Sequence, residues 1–143
     1  MLPDALDEYS RRFGECLFAV HPTWREHARP DPEAPGSLVV EVPSPVAHRA
    51  LTIRTYGRQI TVDFGPDGWH QHFGAEHGSD EGAYGAGLSF IEDLLAERVV
   101  ITTRFLLGRA LWMRARRVPV RRPRYGELRV YSWSGRLDQP SRG

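Results

Sequence analysis

Between residues 49 and 74 the chain reads RALTIRTYGRQITVDFGPDGWHQHFG, and apolar and polar residues alternate on either side of a Gly57-Arg58 step. A two-residue connection that opens on glycine suits a tight β-hairpin, because such turns need a positive φ. Pairing Tyr56 with Gln59 sets the register, so that Thr55 faces Ile60, Ile53 faces Val62 and Leu51 faces Phe64. These residues then share one side, as a single buried face requires, since a one-residue slip would turn the whole apolar set to water. After the loop 65–68, a third strand over 69–73 with Phe64 opposite Trp69 sets Asp63 against His70 and Thr61 against His72. Arg54, Asp63, His70 and His72 thereby occupy the outer polar side. The same register sends Trp69 toward the core and puts Gln71 among apolar residues, at the cost of burying an amide.

The remaining segments arrange themselves around this three-stranded unit. Asp4 is placed to cap a helix over 4–20 whose apolar stripe is Leu6, Tyr9, Phe13, Leu17 and Val20. His21-Pro22 ends it, and the proline-bearing stretch 24–36 reads as loop. A strand over 37–42 stops at Pro43 and Pro45. Ser79 or Asp80 is placed to cap a second helix over 80–97, with Tyr84, Leu88, Ile91 and Leu95 as its stripe and Gly82, Gly85 and Gly87 weakening its first turns. Strands follow over 98–106 and 110–115, turning at Gly108, and a last strand over 127–133 precedes a polar tail from Gly135. The expected fold is a single α+β domain: a mainly antiparallel sheet of about six to seven strands, with both helices on one face.

At 143 residues such a domain can bury a sufficient core without disulfides or a structural metal. The single Cys16, on the apolar side of the first helix, is expected to be a small core residue in a reducing compartment. No apolar run is long enough to span a membrane, and the acidic start of the chain does not suit a signal peptide, so a cytoplasmic protein with no membrane partner is expected. All nineteen basic residues are arginine, a bias typical of GC-rich genomes that weakens any inference from arginine number alone. Their position says more. Residues 1–97 carry 16 acids and 7 arginines, whereas residues 98–143 carry 2 acids and 12 arginines. A chain so polarised can present one signed face to a partner.

Candidate chemistry is incomplete everywhere. His70 and His72 on one strand face, with His77 or Glu76 folding back, would supply an HxH-type metal site, but the third ligand has to come from a glycine-rich loop. Asp63 opposite His70 resembles an oriented base, yet no serine sits in a nucleophile elbow and Cys16 is on a core stripe. The glycines of GAYGAG lack the spacing of a phosphate loop, and Asp80 and Glu81 would repel phosphate. The reading is therefore a non-enzymatic domain with no catalytic residues and no cofactor. The arginines at 114–124, read as an irregular basic loop with Trp112, Tyr125, Tyr131 and Trp133 nearby, offer an alternative as a nucleic-acid-associated or regulatory surface, although the acidic first two-thirds weighs against nucleic acid.

The segments LTIRTYGRQITVDF, WHQHFG, FIEDLLAERVVI and RVYSWSGRLD, spread over residues 51–138, resemble small bacterial immunity-type proteins that accompany polymorphic toxins. The resemblance implies one α+β domain that binds and blocks a cognate toxin stoichiometrically, often a nuclease with a basic cleft, and implies no catalytic residues. An acidic docking side is then expected. The candidate contact set is Asp63, Trp69, His70, His72, Glu76, Asp80 and Glu81, an aromatic or imidazole anchor within an acidic rim.

Overall fold

The computed structural model describes residues 4–65 and 68–138. Pro66 and Asp67 of the expected loop, and the tail beyond Asp138, lie outside the described residues. The first helix, α1 (Glu8–Val20), starts later than expected because Asp7, not Asp4, is its cap, accepting the Ser10 N–H at 2.7 Å. Six strands and a second helix follow: β1 (Ala28–Pro30), β2 (Leu38–Pro43), β3 (Ala50–Tyr56), β4 (Gln59–Phe64), β5 (His70–Phe73), α2 (Asp80–Leu95) and β6 (Val99–Leu106). The chain closes with β7 (Arg109–Arg117) and β8 (Glu127–Tyr131). The architecture is α+β and the strand pairings are antiparallel throughout.

The hairpin register is the one the alternation predicts: Leu51 pairs with Phe64, Ile53 with Val62, Thr55 with Ile60 and Tyr56 with Gln59. β5 adds Thr61 opposite His72 and Asp63 opposite His70. Gln71 escapes the expected cost because β5 is the sheet edge, where this side chain stays exposed beside α2. Both helices cover one face. Phe13 and Leu17 of α1 and Ile91 and Leu94 of α2 join Leu51, Ile53, Ile60, Val62 and Phe64 in one core, each at most 1% exposed. Thr55 enters this apolar layer only because its hydroxyl is satisfied, meeting Ser10 Oγ at 2.5 Å and accepting the Leu38 N–H at 2.9 Å. The glycines of α2 serve packing as well as weakening the helix: a Cβ at Gly87 would stand 3.4 Å from Ile60 Cδ1, so its absence lets the helix settle onto β4.

Several expectations are corrected. The stretch 24–36 is not simply loop, because Pro22–His27 forms a 3-10 helix and Ala28–Pro30 adds a short edge strand to β2. Cys16 is exposed and Val20 is 53% exposed. The buried arc of α1 takes in Ser10, Gly14 and Phe18 as well as Tyr9, Phe13 and Leu17, which rotates both residues toward solvent. The strands do not form one sheet. β1-β2-β3-β4-β5 is one unit and β7-β6-β8 another. The larger sheet offers no long edge for β6 to join, β1 being three residues ending in proline and β5 only four. α2 stops at Leu95, and Glu97 turns the chain with a φ of 58° into β6. β7 is longer than expected, so Arg114, Arg116 and Arg117 belong to a strand and not to an irregular loop. β8 ends at Tyr131, two residues early, because the Ser132 N–H leaves the ladder to donate to Asp138 Oδ1 at 2.7 Å.

The smaller sheet is buried on both faces near its base. Ile101, Ala115 and Tyr131 face the main core, while Val100, Leu128 and Val130 form a second cluster under Val120 and Leu137. Arg49, at the head of β3, joins the two sheets by donating to Ser132 O at 2.8 Å and, as a fork, to Asp138 at 2.7 and 3.2 Å.

Truncating Ile53 to alanine should cost about 2 to 4 kcal/mol in denaturant unfolding, whereas Tyr56→Ala, on the same strand but facing out, should stay within about 0.5 kcal/mol of the parent. Asp138→Ala should also cost about 2 to 4 kcal/mol, because it strands the Arg49 charge and the Ser132 amide together.

Candidate functional site

Alternation along β3, β4 and β5 turns Arg54, Tyr56, Thr61, Asp63, His70 and His72 away from the helices. No helix covers this face among the described residues. Beside it the loop after β1 brings in Asp31 and Glu33, whose turn is held by Asp31 Oδ1 accepting the Glu33 N–H at 2.9 Å. Together they line a concave region of ≈ 450 Å³. Tyr56 is 73% exposed, the most open aromatic among the described large hydrophobic side chains. The surface therefore combines an aromatic ring, two imidazoles, three carboxylates and one guanidinium.

The two histidines are held differently. His70 Nδ1 lies 3.3 Å from the Gly68 carbonyl, which can only accept, so this nitrogen carries the proton. His72 Nδ1 meets the Thr61 hydroxyl at 2.8 Å, where either partner can donate. Their rings stand edge to face with centroids 5.0 Å apart. Partial burial raises the Asp63 carboxyl above the ordinary aspartate value, opposed by the nearby His70, Arg54 and His72.

Of the seven candidate contact residues, the fold brings Asp63, His70 and His72 together and separates the other four. Trp69 is 6% exposed and packs its ring 5.5 Å from that of Phe90, as its register position demands. Glu76 lies in a 3-10 turn over Ala75–His77, accepting the Gly74 N–H at 3.1 Å, and backbone hydrogen bonding lowers its carboxyl below the usual range. Asp80 and Glu81 sit in the first turn of α2. Arg58 grips Asp80 at 2.5 and 3.2 Å and lowers its carboxyl, while Arg12 pairs with Glu81, lowered first by its own backbone amide and then by that arginine. Paired in this way, these acids line a different hollow, with Arg12 and Arg58, while Asp31, Glu33 and Tyr56 stand beside Asp63, His70 and His72. Tyr56 was legible from the outer phase of its strand, but the loop acids reach the site only through the β1–β2 pairing, which carries little sequence signal.

His77 stacks on Phe73, its ring centroid 5.8 Å away, and lies beside Glu76. It does not join His70 and His72 as a third ligand. No group of three or more His, Cys, Asp or Glu side chains is arranged to hold a metal ion among the described residues. The basic segment is elsewhere: Arg114 and Arg116 lie 4.7 and 5.1 Å from the centre of the Trp112 ring, on the smaller sheet. Among the described residues no helix is long and apolar enough to cross a membrane.

Because Asp63 is harder to ionise when folded, the native state binds its proton more tightly than the unfolded chain does. Stability then falls as pH rises from the ordinary aspartate pKa through the raised native one, and the cost is fully present above that window. Asp63→Asn should accordingly be more stable than the parent at neutral pH, the gain disappearing as pH falls below the ordinary aspartate value in paired thermal melts. No family model, curated protein or solved structure matches the chain.

Proposed function

We propose that this protein is a stoichiometric, non-catalytic binder of another protein, an immunity protein that neutralises a cognate bacterial toxin in the cytoplasm. The observation that carries the reading is the uncovered outer face of the larger sheet, where Tyr56, His70 and His72 stand within a rim of Asp31, Glu33 and Asp63. Exposed aromatic and imidazole side chains on a rigid sheet lose little conformational entropy on docking, and a rim of one sign favours a partner of the other. A toxin with a basic substrate cleft, such as a nuclease, matches that surface. Because Asp80 and Glu81 are already paired with Arg58 and Arg12, this reading rests on the sheet face and not on the start of α2.

The partner to test is the polypeptide encoded beside this protein's own gene. The pair should elute as a one-to-one complex, and the toxin's activity should fall to background at equimolar inhibitor. Tyr56→Ala combined with His72→Ala should weaken binding about 30-fold, the loss expected for a central anchor worth roughly 2 kcal/mol. Reversing Asp31 and Glu33 to arginine should slow association and flatten its dependence on salt. Parent-like affinity in the double variant would move the interface off this face.

A further inference from the structure

The smaller sheet carries a second surface of opposite character, and its components lie in register. Alternation on β7 places Trp112, Arg114 and Arg116 on one side, and cross-strand pairing puts Arg104 of β6 opposite Trp112 on that same side. Arg104 in turn donates to the Tyr125 carbonyl at 2.5 Å, holding the backbone of a residue that is 72% exposed at that end of the row. Alternate residues of a strand are spaced by roughly 6.8 Å, twice the rise per residue, a separation comparable to that of successive phosphates in an extended nucleotide strand. Arg114 and Arg116 hold their guanidinium groups against the Trp112 indole, which orients the charges without discharging them. Beside them, Pro119, Val120 and Arg121 close the other wall of a groove of ≈ 500 Å³.

The cations of this surface lack counter-charge. Arg98 and Arg117 share Asp93, Arg129 pairs with Glu127 and Arg136 with Glu97. Among the described residues no carboxylate pairs with Arg104, Arg114, Arg116, Arg121 or Arg124. Genome composition can account for arginine in place of lysine. It does not account for Arg114, Arg116 and Arg121, none of them paired with a carboxylate, lining one groove. A line of unpaired guanidinium groups ending in an exposed aromatic side chain is the combination that holds a single nucleic-acid strand, phosphates on the cations and a base on the ring.

We infer that the groove between β7 and the loop 118–126 binds the phosphodiester backbone of single-stranded nucleic acid, with Arg114, Arg116 and Arg121 contacting phosphates and Tyr125 stacking a base. The site is independent of the outer face of the larger sheet. A fluorescein-labelled oligothymidylate of about 16 nucleotides, followed by anisotropy at low salt, tests it with the full chain. Saturable binding is expected, weakening steeply with added salt. Arg114→Ser, Arg116→Ser and Arg121→Ser together should lower affinity at least about tenfold and reduce the slope of log K against log salt by about 2, since each single-strand phosphate contact contributes roughly 0.7. Tyr125→Ala should weaken binding about fivefold or more with the slope unchanged, as loss of one stacked base predicts. The outer-face variant Tyr56→Ala/His72→Ala should bind the oligonucleotide like the parent whether or not a toxin partner exists, so failure of either reading is distinguishable from failure of the other. No saturable binding at low salt would overturn the inference, as would parent-like affinity in the folded triple variant. Equal binding of polyglutamate of matched charge would also overturn it, reducing the groove to a general polyanion surface.

Discussion

Arg49 determines how the two halves of this protein meet. Its side chain is 9% exposed, lies 5.9 Å from the ring centre of Phe64 and 5.4 Å from that of Tyr131, and binds both Ser132 O and the Asp138 carboxylate. Asp138 also accepts from the Ser132 amide and hydroxyl, and Ser44, in the connection between β2 and β3, donates to Trp133 O at 2.8 Å. Burying a guanidinium costs several kcal/mol unless it is paired, so this cluster contributes less to net stability than an apolar junction of equal volume would. It contributes geometry. A docking that buried Arg49 without a carboxylate would carry that cost in full, which favours the one in which residues 132–138 fold back and bring Asp138 to it.

That junction explains why the charge asymmetry of the chain survives folding. If the basic last third completed the larger sheet, its arginines would lie among the acids of the first two-thirds and neutralise them. Instead it forms its own three-stranded sheet, anchored at one end by Ile101, Ala115 and Tyr131, with the turn of the β6–β7 hairpin projecting away. Leu107 at that turn is 96% exposed and takes a φ of 51° ahead of Gly108 at 74°, as a tight two-residue connection requires. The acids nearest the junction are consumed locally, Asp93 by Arg98 and Arg117, and Glu97 by Ser134 and Arg136. Farther from the junction, Arg104, Arg114, Arg116, Arg121 and Arg124 meet no such carboxylate among the described residues, and the acidic groove of the larger sheet keeps its surplus of carboxylates.

The parts of this arrangement legible in the sequence are those fixed by short-range periodicity. Register in β3 and β4 follows from alternation and one glycine turn, and it carries Asp63, His70 and His72 to a common face with no tertiary information. Tertiary decisions left weaker traces. Cys16 reads as buried if the stripe is drawn through Tyr9, Phe13 and Leu17, but Ser10 and Gly14 are small enough to let α1 approach the sheet on their side, and the buried arc shifts accordingly. Asp80 and Glu81 read as a free acidic rim because their partners, Arg58 and Arg12, lie 22 and 69 residues away in sequence. The division into two sheets depends on what β5 and β1 cannot offer as edges, which is a property of the assembled sheet and not of any one segment.

The edges also bear on how partners can approach. An exposed strand edge invites pairing with another chain unless it is short, interrupted or charged. β1 has three residues ending in Pro30, β5 has four, and β7 carries Arg109, Arg114, Arg116 and Arg117 along its length, so that a second copy pairing there would set like charges against each other. Only β8, of five residues, remains, and its Arg129 is tied to Glu127. Strand addition is therefore poorly supported at these edges, whereas two faces are concave and opposite in sign. Docking onto faces makes recognition depend on side chains and not on backbone ladders, so it is sensitive to single substitutions that leave the fold intact. It also lets the two surfaces be altered separately, because Tyr56 and His72 belong to the larger sheet and Arg114 and Arg116 to the smaller, with the Arg49 junction and its packed core between the two sheets.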